Sequence, residues 1–61
     1  MNTPLILIVE DEEKLARLLE EYLQQSGFRT HHLARGDEVI PWLRENTADL
    51  MLLDLMLPGR D

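Results

Sequence analysis

Two short apolar segments without polar interruption stand near opposite ends of the chain. They span Leu5–Val9 and Leu50–Leu53, and an acidic residue follows each of them directly. Continuous apolar runs of this length are typical of strands that are buried on both faces of a parallel sheet. Residues 28–33 are less apolar, so we predict a strand there that lies nearer the edge of the sheet.

Apolar residues recur with a helical period between the first two predicted strands. They stand at i, i+3, i+4, i+7 and i+8 and form one stripe, made of Leu15, Leu18, Leu19, Tyr22 and Leu23. Glu12 and Glu13 fall in the first turn, where the helix dipole favours negative charge. Gly27 can adopt the left-handed conformation of a C-terminal cap. The pattern predicts a helix at about 13–26.

A second, shorter helix is predicted before the third strand. Asp37 follows a turn at 34–36 and is a candidate N-cap, and three apolar residues share one face: Val39, Ile40 and Leu43. Pro41 lacks a backbone N–H and predicts a distorted start to this helix. The element order is therefore β-α-β-α-β, with crossovers long enough for right-handed parallel connections. A three-strand sheet with bare edges indicates an incomplete fold.

Composition narrows the classes of function. The chain has 61 residues, 12 acidic against 6 basic, and a net charge of −6. It therefore lacks the positive charge that contact with the phosphates of nucleic acid requires. There is no cysteine, which excludes disulfides and thiolate metal sites. No stretch reaches the roughly 18 apolar residues of a membrane helix, so we predict a soluble, cytoplasmic protein without a membrane partner.

Three carboxylates follow the ends of predicted strands. Glu10 and Asp11 end the first strand, and Asp54 ends the third. Ligand sites in open parallel sheets form beyond the carboxyl ends of the strands, so the three groups converge if these strands are neighbours. Oxygen ligands without histidine or cysteine favour Mg²⁺. Taken alone, the acidic run at 10–13 favours a solvated first helical turn, and Asp54 alone is compatible with a residue that caps a loop. The two sites together favour a metal pocket, because a carboxylate directly after a buried run is costly without a partner.

Two segments resemble the N-terminal signatures of bacterial response-regulator receiver domains. They read Ile6-Leu7-Ile8-Val9-Glu10-Asp11-Glu12 and Leu52-Leu53-Asp54-Leu55-Met56-Leu57-Pro58-Gly59, and the separation of 43 between Asp11 and Asp54 also fits. The second segment is similar to the OmpR/PhoB subfamily of transcriptional regulators. The resemblance implies a flavodoxin-like (CheY-like) doubly wound parallel sheet with strand order 2-1-3. Residues 1–61 would form its N-terminal portion, with strands 1–3 and helices 1–2.

The resemblance also implies roles for individual residues. Asp54 would accept a phosphoryl group from the phosphohistidine of a cognate sensor histidine kinase. Mg²⁺ would be held by Asp54, by Asp11 directly, by Glu10 through water and by the backbone carbonyl of Met56. Such a chain is a signalling phosphoacceptor rather than an enzyme, and it would reach DNA only through an output domain outside this sequence. Pro58 and Gly59 would shape the loop beyond the acceptor, although an ordinary turn explains them equally well.

The sequence also departs from the receiver pattern. A receiver has a fourth strand that ends in Ser or Thr and a fifth that carries a Lys and an aromatic switch residue, and none of these is present. Lys14 lies on the first predicted helix and is not assigned the missing role. One alternative is an inactive fragment that forms a homodimer or a swapped oligomer through its sheet edge.

A second alternative is a metal-dependent phosphohydrolase that forms an aspartyl phosphate. Such enzymes commonly carry an acid two residues after the nucleophile, where this chain has Met56.

His31 and His32 are adjacent on a predicted strand and should point to opposite faces, which disfavours a shared metal site.

Overall fold

The computed structural model describes residues 3–53, which alternate between strands and helices. The strands are β1 (Leu5–Val9), β2 (Arg29–Leu33) and β3 (Leu50–Leu53). The helices are α1 (Glu13–Gln25) and α2 (Val39–Glu45), and a 3₁₀ turn at Gly36–Glu38 precedes α2. The predicted β-α-β-α-β order is confirmed.

The strands form one parallel sheet in the order β2-β1-β3, which confirms the predicted order 2-1-3. Val9, the last residue of β1, pairs with Leu33 on one side and with Leu53 on the other. The middle strand is buried on both faces: Ile6, Leu7, Ile8 and Val9 are at most 7% exposed. Its uninterrupted apolar sequence follows from this position, since helices cover both faces of a parallel sheet.

Successive residues of each strand face opposite sides of the sheet, and each side packs against an apolar layer. Leu7, Val9 and Leu33 form one cluster with Val39 of α2, and Trp42 and Ala48 pack against it. Trp42 also stacks on His31 with ring centroids 4.9 Å apart. Helix α1 packs against the other face of the sheet, and its Ala16 is buried. The small side chain at position 16 allows a close approach of helix and sheet.

Helix α1 ends where the glycine predicts. Gly27 has φ of +98°. The N–H of Phe28 donates to the carbonyl of Leu23 at 3.0 Å, and the N–H of Gly27 donates to that of Gln24 at 3.1 Å. This is the hydrogen-bond pattern of a Schellman cap, which satisfies the last carbonyls of the helix.

The predicted apolar stripe of α1 is only partly correct. Leu18 and Tyr22 are 64% and 69% exposed, whereas Leu15, Leu19 and Leu23 are half-buried. The helix packs mainly over β2, and Glu20 on that side accepts a hydrogen bond from the hydroxyl of Thr30 at 3.0 Å. The buried face is therefore rotated toward Ala16 and Glu20, and it leaves one flank of the stripe in solvent.

The start of α2 is distorted as Pro41 predicts, but Asp37 does not cap it. No side-chain capping bond is formed at the start of the 3₁₀ turn or of α2. The carboxylate of Asp37 instead accepts two hydrogen bonds from the guanidinium of Arg35, at 3.0 and 2.7 Å. The predicted apolar face is also wrong in part, because Ile40 is 60% and Leu43 39% exposed while Trp42 packs inward.

Strand β3 is less buried than its sequence predicts. Leu50, Met51 and Leu53 are 54%, 40% and 54% exposed. Within residues 3–53 this strand lies at the edge of the sheet and pairs with β1 alone. Asp49 fixes its start, because its N–H donates to the carbonyl of Leu5 at 2.9 Å and its carboxylate accepts the N–H of Leu5 at 2.7 Å.

Candidate functional site

Glu10 lies at the carboxyl end of the central strand and is buried. Only 5% of it is exposed, and it is the one buried charged residue in the described part of the chain. A carboxylate at such a position is unfavourable unless hydrogen bonds or a cation compensate for the water it loses. The solvated helical turn, one of the two interpretations of the acidic run, therefore does not account for Glu10.

Hydrogen bonds hold Glu10 at its amide, its carbonyl and its side chain. Its N–H donates to the carbonyl of Leu33 at 3.0 Å, which continues the ladder between β1 and β2. Its carbonyl oxygen lies 2.7 Å from Nε2 of His32. Its carboxylate accepts the backbone N–H of Glu12 at 3.1 Å. The carboxyl end of β1 is thus held from the neighbouring strand and from the turn that follows.

Asp11, Glu12 and Glu13 differ from Glu10 because they are exposed. Asp11 lies in the bend between β1 and α1, and Glu12 occupies the N-cap position without a side-chain capping bond. Glu13 is in the first turn of α1, where the helix dipole favours it. The acidic run therefore divides into a buried residue at the strand end, an exposed neighbour and a solvated helix start.

The rim beside Glu10 is shared with β3. Leu53 pairs with Val9, so the last residues of β1 and β3 are neighbours. This confirms the adjacency of strands on which the convergence of the acids depends. The other predicted site residues, Asp54 and Met56, lie outside the described residues, as do Pro58 and Gly59.

The chemistry of Glu10 and Asp11 fits a magnesium ion. Both offer carboxylate oxygens, the hard ligands that Mg²⁺ takes in small numbers together with water and phosphate. Nε2 of His32 lies nearby but is not available as a metal ligand, because it is hydrogen-bonded to the carbonyl of Glu10. Residues 3–53 contain no group of three or more His, Cys, Asp or Glu that could hold a metal by itself. A magnesium site at this pair would therefore need ligands in addition to Glu10 and Asp11.

Comparison with known proteins identifies the family. The model of the response regulator receiver domain matches residues 6–61. The chain belongs to the response regulator receiver domain family. It is 53% identical over 60 residues to the transcriptional regulatory protein BaeR of Escherichia coli O6:H1 strain CFT073, which covers 98% of this chain and 25% of that protein. It is 45% identical over 56 residues to SrrA of Staphylococcus aureus strain NCTC 8325, covering 92% of this chain and 23% of SrrA.

The family membership confirms the resemblance to receiver domains of OmpR/PhoB-type regulators. This receiver chain spans about a quarter of the length of the curated relatives it matches. No helix in residues 3–53 has the length and apolar character that a membrane-spanning segment requires. The cytoplasmic location stays a prediction.

His32 is a residue of the site that the sequence did not reveal. The alternation of a strand correctly predicts opposite faces for the two histidines: His31 stacks on Trp42 of α2, and His32 reaches the carbonyl of Glu10. The signal that was available is that β2 ends one residue after His32. A side chain near the end of an edge strand can bond the backbone of the neighbouring strand where the ladder stops.

Proposed function

We propose that this receiver chain accepts a phosphoryl group on Asp54 and that Glu10 and Asp11 hold the Mg²⁺ that the transfer requires. The observation that carries the proposal is Glu10, a buried carboxylate held at the carboxyl end of the central strand. Asp11 follows it, and Leu53 lies beside Val9 on the same rim. This pairing supports the assignment of Asp54, because Glu10 follows Val9 in the chain and Asp54 follows Leu53.

The transfer joins a carboxylate to phosphorus. An oxygen of Asp54 attacks the phosphorus of a phosphohistidine, an O–P bond forms, and the P–N bond breaks as the imidazole leaves. Bound Mg²⁺ would neutralise the oxygens of the transferred group. Glu10 and Asp11 contribute negative charge and fixed positions for the cation, and the backbone carbonyl of Met56 would complete the protein ligands.

The partners follow from the same proposal. The donor is a cognate sensor histidine kinase, and phosphorylation would bias a conformational equilibrium that an output domain reads. The relatives BaeR and SrrA are transcriptional regulatory proteins, which supports an output that binds DNA. The net charge of −6 disfavours contact with DNA phosphates through this chain. The chain acts as a phosphoacceptor rather than an enzyme, and self-phosphorylation and dephosphorylation are confined to the complete receiver domain.

The proposal is tested by phosphoryl incorporation in the whole protein that carries this sequence. A small-molecule phosphodonor is added with and without Mg²⁺, and intact mass is followed over time. We expect the mass of one phosphoryl group in the presence of Mg²⁺ and little without it. Asp54→Asn should abolish the gain, and Asp11→Asn should slow it by at least about 10-fold, as the loss of a metal ligand does.

Asp37→Asn is the matched control. It also removes a single carboxylate, but Asp37 is exposed and paired with Arg35 at the start of the 3₁₀ turn. Its rate should equal that of the unmodified protein. Equal incorporation in Asp54→Asn, or incorporation that does not depend on Mg²⁺, would contradict the proposal.

The exposed strand β3 favours a second candidate, an assembly unit that pairs with another copy. Leu50 and Leu53 are each 54% exposed at the edge of the described sheet. A free strand edge with apolar neighbours favours pairing between chains. Light scattering across a range of concentrations should then show a dimer that Leu50→Glu dissociates. A monomer at every concentration would contradict this candidate.

A further inference from the structure

The backbone hydrogen bonds between the parallel strands β1 and β2 end at the N–H of Glu10, one bond before the carbonyl of Glu10. Alternate residues of β1 face β2, and the pattern runs from the carbonyl of Pro4, which accepts the N–H of Arg29 at 2.9 Å, to the N–H of Glu10. The next acceptor in this pattern is the carbonyl of Glu10. Strand β2 ends at Leu33, so its backbone offers no further ladder position. The side chain of His32 meets this carbonyl instead, at 2.7 Å.

The tautomer of His32 follows from its partner. A backbone carbonyl only accepts hydrogen bonds, so Nε2 of His32 carries the hydrogen and donates it. The ring therefore acts at this point as a hydrogen-bond donor. His32 is half-buried, and it lies on the face of the sheet opposite to the one on which His31 stacks against Trp42.

The bond holds the peptide unit that leads into Asp11. A peptide unit is planar, so fixing its carbonyl also fixes the N–H and Cα of the next residue. Three successive peptide units are each held by one hydrogen bond, either at the N–H or at the carbonyl. The carbonyl of Leu33 holds the Val9–Glu10 unit, His32 holds the Glu10–Asp11 unit, and the carboxylate of Glu10 holds the Asp11–Glu12 unit.

We propose that His32 is a positioning residue for the magnesium site, because it fixes the peptide unit between the two carboxylates Glu10 and Asp11. It acts through the backbone and does not ligate the ion with Nε2. The inference rests on the proposed function. Partners that orient metal ligands typically contribute about 10- to 100-fold to metal affinity. Since His32 acts through a single hydrogen bond to the backbone, its effect belongs at the lower end of this range.

The test compares Mg²⁺ affinity by titration calorimetry in the whole protein that carries this sequence. His32→Leu removes the donor and should weaken Mg²⁺ binding by about 10-fold. His32→Gln should restore most of the affinity, because its Nε2 amide lies at a similar distance from the backbone as the imidazole Nε2 and also donates. A loss of packing alone would not be reversed by a flexible polar side chain.

His31→Leu is the matched control, since it makes the same change at the adjacent position on the opposite face. It should disturb the stacking on Trp42 and change tryptophan fluorescence while leaving Mg²⁺ affinity unchanged. Thermal unfolding of each variant, followed by circular dichroism, verifies that it is folded at the temperature of the titration.

A measurement on the unmodified protein keeps the inference testable even if a variant does not fold. Nitrogen NMR of the imidazole should show the hydrogen on Nε2 of His32, with or without Mg²⁺. A hydrogen on Nδ1 alone would overturn the assignment. Unmodified protein that binds Mg²⁺ no better than His32→Leu would overturn the positioning role and leave the proposed function intact. Unmodified protein that binds no Mg²⁺ would overturn both.

Discussion

Glu10 is a carboxylate at a buried position, at the carboxyl end of the central strand. It is 5% exposed, and three further acids follow it directly. Burial removes hydration from a carboxylate, and hydrogen bonds or a cation must replace it. The backbone N–H of Glu12 supplies one such hydrogen bond, and under the proposed function Mg²⁺ adds to it.

Replacing Glu10 with Gln should weaken Mg²⁺ binding by about 10-fold, as changes around a metal site typically do. Glutamine keeps an oxygen that accepts the N–H of Glu12 while removing the charge. Titration calorimetry with Mg²⁺ in the whole protein that carries this sequence measures the change in affinity.

Glu13→Gln is the control for this prediction. Glu13 is exposed in the first turn of α1, so the same change removes a charge that burial does not penalise and the helix dipole favours. Its Mg²⁺ affinity should stay unchanged. Equal Mg²⁺ affinity in Glu10→Gln and in the unmodified protein would contradict the assignment of Glu10 to the magnesium site.

The ion pair of Arg35 and Asp37 predicts a local dependence on pH. The hydrogen bond from Arg35 lowers the pKa of Asp37, desolvation opposes it, and the charge of Arg35 acts in the same direction as the hydrogen bond. A carboxyl group whose folded pKa is lowered adds stability above its unfolded pKa and loses it as pH falls through the folded pKa. The contribution is small, because both side chains are exposed and solvent screens the pair.

Arg35→Gln should raise the pKa of Asp37 toward the ordinary value for aspartate. Carbon NMR of the carboxyl group across the acidic range measures this shift directly. An Asp37 carboxyl that titrates at the same pH with and without Arg35 would contradict the ion pair.

Among the secondary-structure elements, α1 ends in a cap that depends on Gly27, and this residue sets the direction of the chain after the helix. Gly27 has φ of +98°, and a Cβ added there would meet no atom within 4 Å. The cost of a side chain is therefore a backbone cost, since L-residues rarely adopt this conformation.

Gly27→Ala should lower the free energy of unfolding by about 1–2 kcal/mol. Gly36→Ala is the matched control, because Gly36 also has open space around its Cβ position and does not have a positive φ. It should be neutral or slightly stabilising, since alanine restricts the unfolded chain. Denaturant unfolding of both variants measures the difference, and equal stability would contradict the cap.

The sequence predicts the elements well because local patterns determine them. The apolar run of β1, the helical period of α1 and Gly27 each identify an element within about one residue. The same patterns predict burial less well, because burial depends on which elements pack together. Leu18 and Tyr22 share the period of α1 yet are exposed, since the helix faces β2 with Ala16 and Glu20.

Competition between local partners explains the errors around α2. Asp37 has the side chain of an N-cap, but Arg35 lies two residues away and binds its carboxylate. Trp42 was not placed from the sequence, because its packing depends on His31 and on the core cluster across the sheet. Such contacts are absent from any local pattern.

At the scale of the whole molecule, the site forms at the end of a sheet whose central strand is well buried and whose third strand is not. The sequence correctly predicts that β1 and β3 end at one rim, and the register of Val9 with Leu53 confirms it. It does not reveal the contribution of β2, because the bond from His32 to Glu10 depends on where the ladder stops. The arrangement combines a buried inner strand with acids at its carboxyl end, the place where parallel sheets bind ligands.

Locating the modified residue decides whether Asp54 accepts the phosphoryl group. The whole protein is treated with a phosphodonor and Mg²⁺, the acyl phosphate is reduced with borohydride, and peptides are mapped by mass spectrometry. The reduced residue should be at position 54, and it should be absent when Mg²⁺ is withheld. Modification at another residue, or none in a folded protein that binds Mg²⁺, would rule out Asp54 as the phosphoacceptor.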